Sequence, residues 1–293
     1  MWQPEAHWER LPSGMGASTL GVWRDGDMVV KRLVAPVDED PVPPYAVGWW
    51  RRQADVAASG VVEATPGLRG PVLVRLEEDA DGLTFWYAAV APEPLPGPFV
   101  AQALGRFAGA DLGEHAWLCR DQLGQRIAAT ERRGGWTTLA RTTVADLADR
   151  LWQRRGHFLT AVAELPQVAQ HGDPVPANLL GRDGDAVLAI DWSNLGTGPV
   201  GADLGYWSLS AREEFDVLLE AYVAGLPDGV ATIEQARLGA QVTAVYTALS
   251  RADWALARAA EGSGALAAKY RHPSVAPYLK ALQRQFPQLE ALI

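Results

Sequence analysis

Between His171 and Leu204 the chain reads HGDPVPANLLGRDGDAVLAIDWSNLGTGPVGADL, and no other stretch restricts its possible folds so tightly. Asp173 is followed five positions later by Asn178, and Asp191 arrives after a segment whose Arg182-Asp183-Gly184-Asp185 predicts a hairpin turn. The stretch thus supplies a carboxylate, an amide and a second carboxylate around a hairpin.

That set suits the transfer of a γ-phosphoryl group. The migrating group spreads negative charge over its oxygens, so catalysis is mostly positioning and neutralisation by Mg²⁺. A carboxylate such as Asp173 can orient an acceptor hydroxyl and take its proton, an effect worth about 10²–10⁴-fold. Mg²⁺ prefers hard oxygen donors and keeps several waters, so one amide oxygen and one carboxylate beside the nucleotide phosphates suffice. Asn178 and Asp191 are the candidates.

These residues resemble the HGDxxxxN loop and metal-binding Asp of the aminoglycoside phosphotransferase and choline kinase superfamily, relatives of the protein kinases. Asp191-Trp192-Ser193 stands where protein kinases carry Asp-Phe-Gly. The resemblance implies that His171 supports the loop through backbone hydrogen bonds and that Asp203 braces it from the following helix start. It also implies an α+β, bilobal protein-kinase-like fold, with a small antiparallel-sheet lobe plus one helix over a larger, mostly helical lobe.

Such a fold needs a glycine loop between two strands and a lysine on the third. WERL is a short apolar-polar run, Ser13 to Thr19 (SGMGAST) is a small-residue loop, and Thr19 to Trp23 has strand character. After a turn at Arg24 to Asp27, alternation over Met28 to Val34 puts Lys31 on the face of Val29 and Leu33. A lysine on an apolar face needs an anion, here the nucleotide α- and β-phosphates. Glycine lacks Cβ, so backbone N–H groups of the loop containing Gly14, Gly16 and Ser18 can approach the same phosphates.

Tyr45 to Ser59 predicts the helix whose glutamate should pair with Lys31, but the expected position holds Gln53. Glutamine hydrogen-bonds an ammonium without neutralising it. Asp55 is nearby at a different angle on the helix. Val72–Arg75 and Leu83–Val90 predict a strand pair around the acidic Glu77 to Gly82. The resemblance makes Ala89 and Val90 a hinge that binds the nucleobase edge, followed by the proline-rich 91–98 connector. The expected division is therefore a nucleotide lobe over 1–90 and a catalytic and acceptor lobe over 91–293. In the latter, helices are predicted at Phe99–Phe107, Val144–Leu165, Ala202–Leu209, Glu213–Leu226, Ile233–Ala260 and Tyr278–Leu289.

With 48% hydrophobic residues the chain can bury one or two substantial cores. It has no apolar run long enough to span a bilayer and no signal-peptide pattern at its start, so no membrane partner is expected. A single cysteine, Cys119, excludes an internal disulfide and fits a cytoplasmic setting. The net charge of −9 argues against a nucleic-acid partner. It does not gather in the large lobe, where a polycationic acceptor would call for it; Asp38 to Asp40 and Glu77 to Asp81 read as solvated loops. Twelve tryptophans include Trp117, Trp136, Trp207 and Trp254, which fit either an acceptor wall or the core.

The sequence therefore predicts an ATP- or GTP-dependent, Mg²⁺-requiring phosphotransferase acting on a hydroxyl of a small molecule such as an aminoglycoside-like antibiotic, sugar or amino alcohol. Two alternatives stand: a kinase-like binding protein without transfer, motivated by Gln53, and a kinase acting on peptide Ser or Thr. The short span between Asp191 and Asp203, with no Ala-Pro-Glu, argues against a long regulated activation loop.

Overall fold

The computed structural model describes residues 2–12, 18–36, 42–63, 65–136, 145–260 and Lys280. The predicted loop glycines Gly14 and Gly16, the acidic Asp38 to Asp40, and the helix predicted at Tyr278–Leu289 lie outside the described residues.

Strands β1 (Glu9–Arg10), β2 (Thr19–Asp25) and β3 (Met28–Leu33) are followed by helix α1 (Arg52–Ser59) and strands β4 (Leu68–Arg69), β5 (Leu73–Asp79) and β6 (Gly82–Ala88). Among the described residues these build a five-stranded antiparallel sheet, ordered β1-β2-β3-β6-β5. Period-two alternation gives it two apolar faces. Leu33, Leu83 and Phe85 pack with Ala54 of α1 on one face. Trp23, Val30 and Trp86 pack with Trp2, Trp8 and Met28 on the other. Each fully buried large side chain contributes about 2–3 kcal/mol.

Helix α1 is shorter than the predicted Tyr45–Ser59. Gly48 takes a φ of +90°, and the Arg52 side chain draws in the carbonyls of Pro44 and Ala46, so the chain turns before it becomes helical. The acidic 77–82 stretch is also not a loop: β5 runs through Asp79. Arg51 pairs with Glu78 and Arg32 with Asp79, which supplies the counter-charges an acidic strand needs.

The remaining elements are α2 (Gly97–Ala108), α3 (Gln122–Arg132), α4 (Ala145–Gln153), α5 (Arg155–Ala163), β7 (Gln167–Gln170), β8 (Leu179–Asp183), β9 (Ala186–Ala189), β10 (Gly196–Pro199), α6 (Ala202–Ser208), α7 (Phe215–Gly225) and α8 (Ile233–Ala260). Pro98 is tolerated in α2 because it falls in the first turn, where its missing N–H costs nothing. The single helix predicted over Val144–Leu165 is broken at Arg154. The Leu151 carbonyl, which would accept from Arg155 in a continuous helix, accepts from the Arg154 amide at 3.1 Å and from Tyr246 Oη at 2.7 Å. Helix α3 and strands β4, β7 and β10 have no counterpart in the sequence expectation.

One continuous core joins α2, α7 and α8 to the β8–β9 hairpin, and it also takes in Val56 of α1, Val62 and Leu68. Strand β4 pairs parallel with β9, Leu68 opposite Val187. The segment leaving α1 is thereby sewn into the helical part of the molecule. Among the described residues, no helix is long and apolar enough to cross a membrane.

Candidate active site

Two antiparallel strand pairs hold the site. Strands β7 and β10 pair with Gln170 opposite Gly196, while β8 and β9 form the hairpin predicted from Arg182 to Asp185. The His171–Asn178 loop follows β7, and Asp191 follows Ile190 at the end of β9, so both candidate carboxylates emerge from strand ends.

His171 is fully buried. Its Nδ1 accepts from the Asp173 amide at 3.2 Å, which leaves Nε2 to donate to the Ile190 carbonyl at 2.9 Å. One imidazole thus ties the Asp173 loop to the strand carrying Asp191. Gly172 has φ +80°, and a Cβ there would come within 2.8 Å of the Asn194 carbonyl, so only glycine fits the turn. Asp203, in the first turn of α6, accepts from the amides of His171 at 2.7 Å and Gly172 at 2.9 Å. Burial pushes its carboxyl up, partly offset by the nearby His171 and those two amide bonds.

A short 3₁₀ turn, Pro176–Asn178, swings Asn178 back under Asp173. Its Nδ2 donates to the Asp173 carbonyl at 3.0 Å and to Asp173 Oδ2 at 3.2 Å, leaving the amide oxygen directed elsewhere. The Ile190 amide donates to the Asn178 carbonyl at 2.9 Å. Asp191 has φ +61°, uncommon for a residue with a side chain and often found at functional turns.

Lys31 reaches across from β3, donating to Gln53 Oε1 at 2.8 Å and to Asp191 Oδ1 at 3.1 Å. The Lys31 ammonium holds the Asp191 carboxyl below the usual range. Gln53 Nε2 in turn donates to Tyr87 Oη at 3.3 Å. Asp55 is turned away, accepting from Trp49 Nε1 at 3.0 Å.

The structure therefore gathers Lys31, His171, Asp173, Asn178, Asp191 and Asp203. Ser18 stands at the start of β2, its carbonyl accepting from the Val34 amide at 2.8 Å. Ala89 and Val90 follow β6, and the Ala89 N–H is already given to the Asp27 carbonyl at 2.8 Å. Of the tryptophans, Trp207 is core and Trp117 is half-buried against His115, while Trp136 donates to Asp149. Cys119 is buried, which pushes its thiol up and leaves it unreactive.

Sequence reasoning missed three participants. Arg52 is fully buried and donates to the carbonyls of Trp117 and Ser193 at 2.6 Å each, as well as to Pro44 and Ala46. It fastens α1 to the segment after Asp191. Arg251 of α8 donates to Asp173 Oδ1 at 2.8 Å and to Tyr206 Oη at 2.8 Å. Arg126 of α3 donates to the Gly172 carbonyl at 3.1 Å. Of these, only Arg52 and Arg251 fall on helices expected from sequence, where an arginine ordinarily reads as a snorkelling surface residue.

Among the described residues no group of three or more His, Cys, Asp or Glu side chains could cage a metal. The donors that converge are one amide oxygen and one carboxylate. That set fits Mg²⁺ carried with nucleotide phosphates and water rather than a stand-alone protein metal site.

Residues 97–238 match the model of the phosphotransferase enzyme family, APH. No curated protein matches the chain by sequence. In structure it is similar to a choline/ethanolamine kinase family protein of Mesorhizobium loti, with a TM-score of 0.58 and 19% identity over 94% of this chain and 92% of that one. It is also similar to APH(2")-IIia in complex with GDP and kanamycin, with a TM-score of 0.62 and 14% identity over 96% and 93% of the two chains. A third is the macrolide 2'-phosphotransferase MphH of Brachybacterium faecium, with a TM-score of 0.53 and 15% identity over 92% and 91%. At these identities the likeness is one of fold.

Proposed function

We propose, for a chain that has the protein-kinase-like fold of aminoglycoside phosphotransferases and choline kinases and matches the phosphotransferase family over residues 97–238, transfer of the γ-phosphoryl group of ATP or GTP to a hydroxyl of a small molecule. The observation that carries this reading is that two pairs, Lys31 with Asp191 and Asn178 with Asp173, are tied together at Ile190, whose amide donates to the Asn178 carbonyl and whose carbonyl accepts from His171 Nε2. In this reading 1–90 is the nucleotide lobe, 91–293 the catalytic and acceptor lobe, and 91–98 the connector. Ser18, Ala89 and Val90 would line the nucleotide together with the Gly14 and Gly16 loop.

Asp173 orients the acceptor hydroxyl and receives its proton as the new O–P bond forms and the β–γ bridging bond breaks, releasing nucleoside diphosphate. Both of its oxygens already accept a hydrogen bond, from Arg251 and Asn178. An ionised carboxylate has about four lone-pair sites, so room remains for the hydroxyl. Asn178 and Asp191 would hold Mg²⁺, which when bound neutralises phosphate charge. Lys31 would pair with the α- and β-phosphates. His171 and Asp203 keep the loop in shape by fixing its backbone.

Gln53 favours a second reading, a nucleotide-binding protein without transfer. A single experiment addresses both at their shared first step: thermal unfolding with ATP and GTP, each with and without Mg²⁺, in the natural chain and Asp191→Ala. A ligand at a hundred times its Kd adds about 2.7 kcal/mol, a rise of a few degrees for a chain this size. The phosphotransferase reading expects a Mg²⁺-dependent rise that Asp191→Ala abolishes, followed by phosphoryl transfer in an acceptor screen. No rise with either nucleotide would overturn it.

A further inference from the structure

Lys31 is held by one neutral group and one charged one. Gln53 Oε1 accepts from its ammonium at 2.8 Å and Asp191 Oδ1 at 3.1 Å. Asp55, on the same helix as Gln53, is turned to Trp49 Nε1. A carboxylate would hold an ammonium whichever way it is turned, because both of its oxygens accept. An amide has one end that accepts and one that donates, so a half-turn about its last bond would set two N–H groups against the ammonium. Gln53 anchors Lys31 only if something fixes which end faces it.

The structure holds such a group. Gln53 Nε2 donates to Tyr87 Oη at 3.3 Å. Alternation along β6 sends Phe85 and Tyr87 to the α1 side of the sheet and Trp86 to the other. In the β3–β6 register Phe85 lies opposite Lys31 and Tyr87 opposite Val29, so the phenol and the lysine share that face. The Tyr87 ring stacks on Phe85, with centroids 5.9 Å apart and planes 5° from parallel, which fixes the direction of the hydroxyl. Gln53 is only 5% exposed, so water is a poor substitute for this acceptor. Burial pushes the Tyr87 hydroxyl up to about 12 against the opposing Gln53 bond, with the Asp191 charge adding to the rise, so the group stays a neutral phenol.

We infer that Tyr87 is a positioning residue: by accepting from Gln53 Nε2 it turns Gln53 Oε1 toward Lys31, and the Gln53–Tyr87 pair takes the place of a helix glutamate without adding a charge. The inference deepens the phosphotransferase reading and rests on it. An uncharged anchor aims the ammonium yet leaves its charge to Asp191 and, once nucleotide is bound, to the phosphates. Gln53 is then part of a working site rather than the mark of a lost one.

The test is a double-mutant cycle read by calorimetric titration with Mg·ADP and Mg·GDP at saturating Mg²⁺, in the full natural chain, Tyr87→Phe, Gln53→Glu and the double variant. Phenylalanine keeps the ring and its stacking and removes only the acceptor, and thermal unfolding checks that each variant is folded. Tyr87→Phe should weaken nucleotide binding about fivefold in the natural background, the size of one lost hydrogen bond, and less than about twofold beside Gln53→Glu, because a carboxylate needs no orienting. A merely structural loss would weaken both backgrounds alike. Equal losses in the two backgrounds, or full affinity in Tyr87→Phe, would overturn the inference. Failure of both nucleotides to bind the natural chain would instead overturn the phosphotransferase reading.

Discussion

The Lys31 ammonium lies 3.1 Å from Asp191 Oδ1, so the lysine proposed for phosphate and the carboxylate proposed for metal neutralise each other. Gln53 explains the pairing. It accepts a hydrogen bond from Lys31 at 2.8 Å but brings no charge, and Asp191 supplies the anion that a glutamate would otherwise provide.

Gln53→Glu should therefore release Asp191 from part of this duty. We expect nucleotide binding to saturate at lower Mg²⁺, by about fivefold, which corresponds to about 1 kcal/mol. A Mg²⁺ titration of nucleotide affinity in the two proteins measures it. An unchanged Mg²⁺ midpoint would show that Lys31 and Asp191 do not compete.

Asp173→Asn should lower kcat by about 10²–10⁴-fold while leaving nucleotide affinity intact, because the amide keeps the size of the side chain and loses its basicity. Steady-state rates with the acceptor found by screening, beside nucleotide binding by calorimetry, separate the two effects. A retained rate would remove Asp173 from the proposed role.

Arg52→Met should destabilise the protein by about 3 kcal/mol. It removes the donor shared by four backbone carbonyls at a site with no exposure, and each carbonyl left dry costs about 1–3 kcal/mol before relaxation. Urea unfolding reads this directly. Wild-type stability in Arg52→Met would mean that the segment after Asp191 is held by other contacts.

Acid should loosen the small lobe through Asp79. Its hydrogen bonds from Arg32 hold the carboxyl at about 2 in place of 3.8. A depressed carboxylate pKa gives a contribution that is complete above the unfolded value of 3.8 and is lost as pH falls toward about 2. The stability difference between the natural chain and Asp79→Asn should accordingly shrink across that window. A difference independent of pH there would assign the bond no electrostatic part.

The sequence alone determined whatever depends on short range. Strand alternation put Lys31 on the face of Leu33. The Gly184 turn set the hairpin, and five-residue spacing put Asn178 within reach of Asp173. The family resemblance, with the helix placed by local pattern, marked Gln53 as the odd residue. Local pattern failed where a distant group decided the outcome. Tyr246 of α8 donates to the Leu151 carbonyl where the helix predicted at Val144–Leu165 breaks, and Arg52 delays the start of α1 by claiming carbonyls before it. Arg126 and Arg251 show the same limit at the site: they stand 46 residues from Gly172 and 78 from Asp173, on helices whose periodicity records only which side faces the core. Which charges meet at the Gly172-Asp173 turn is a property of packing between helices, and only the tertiary structure brings them together.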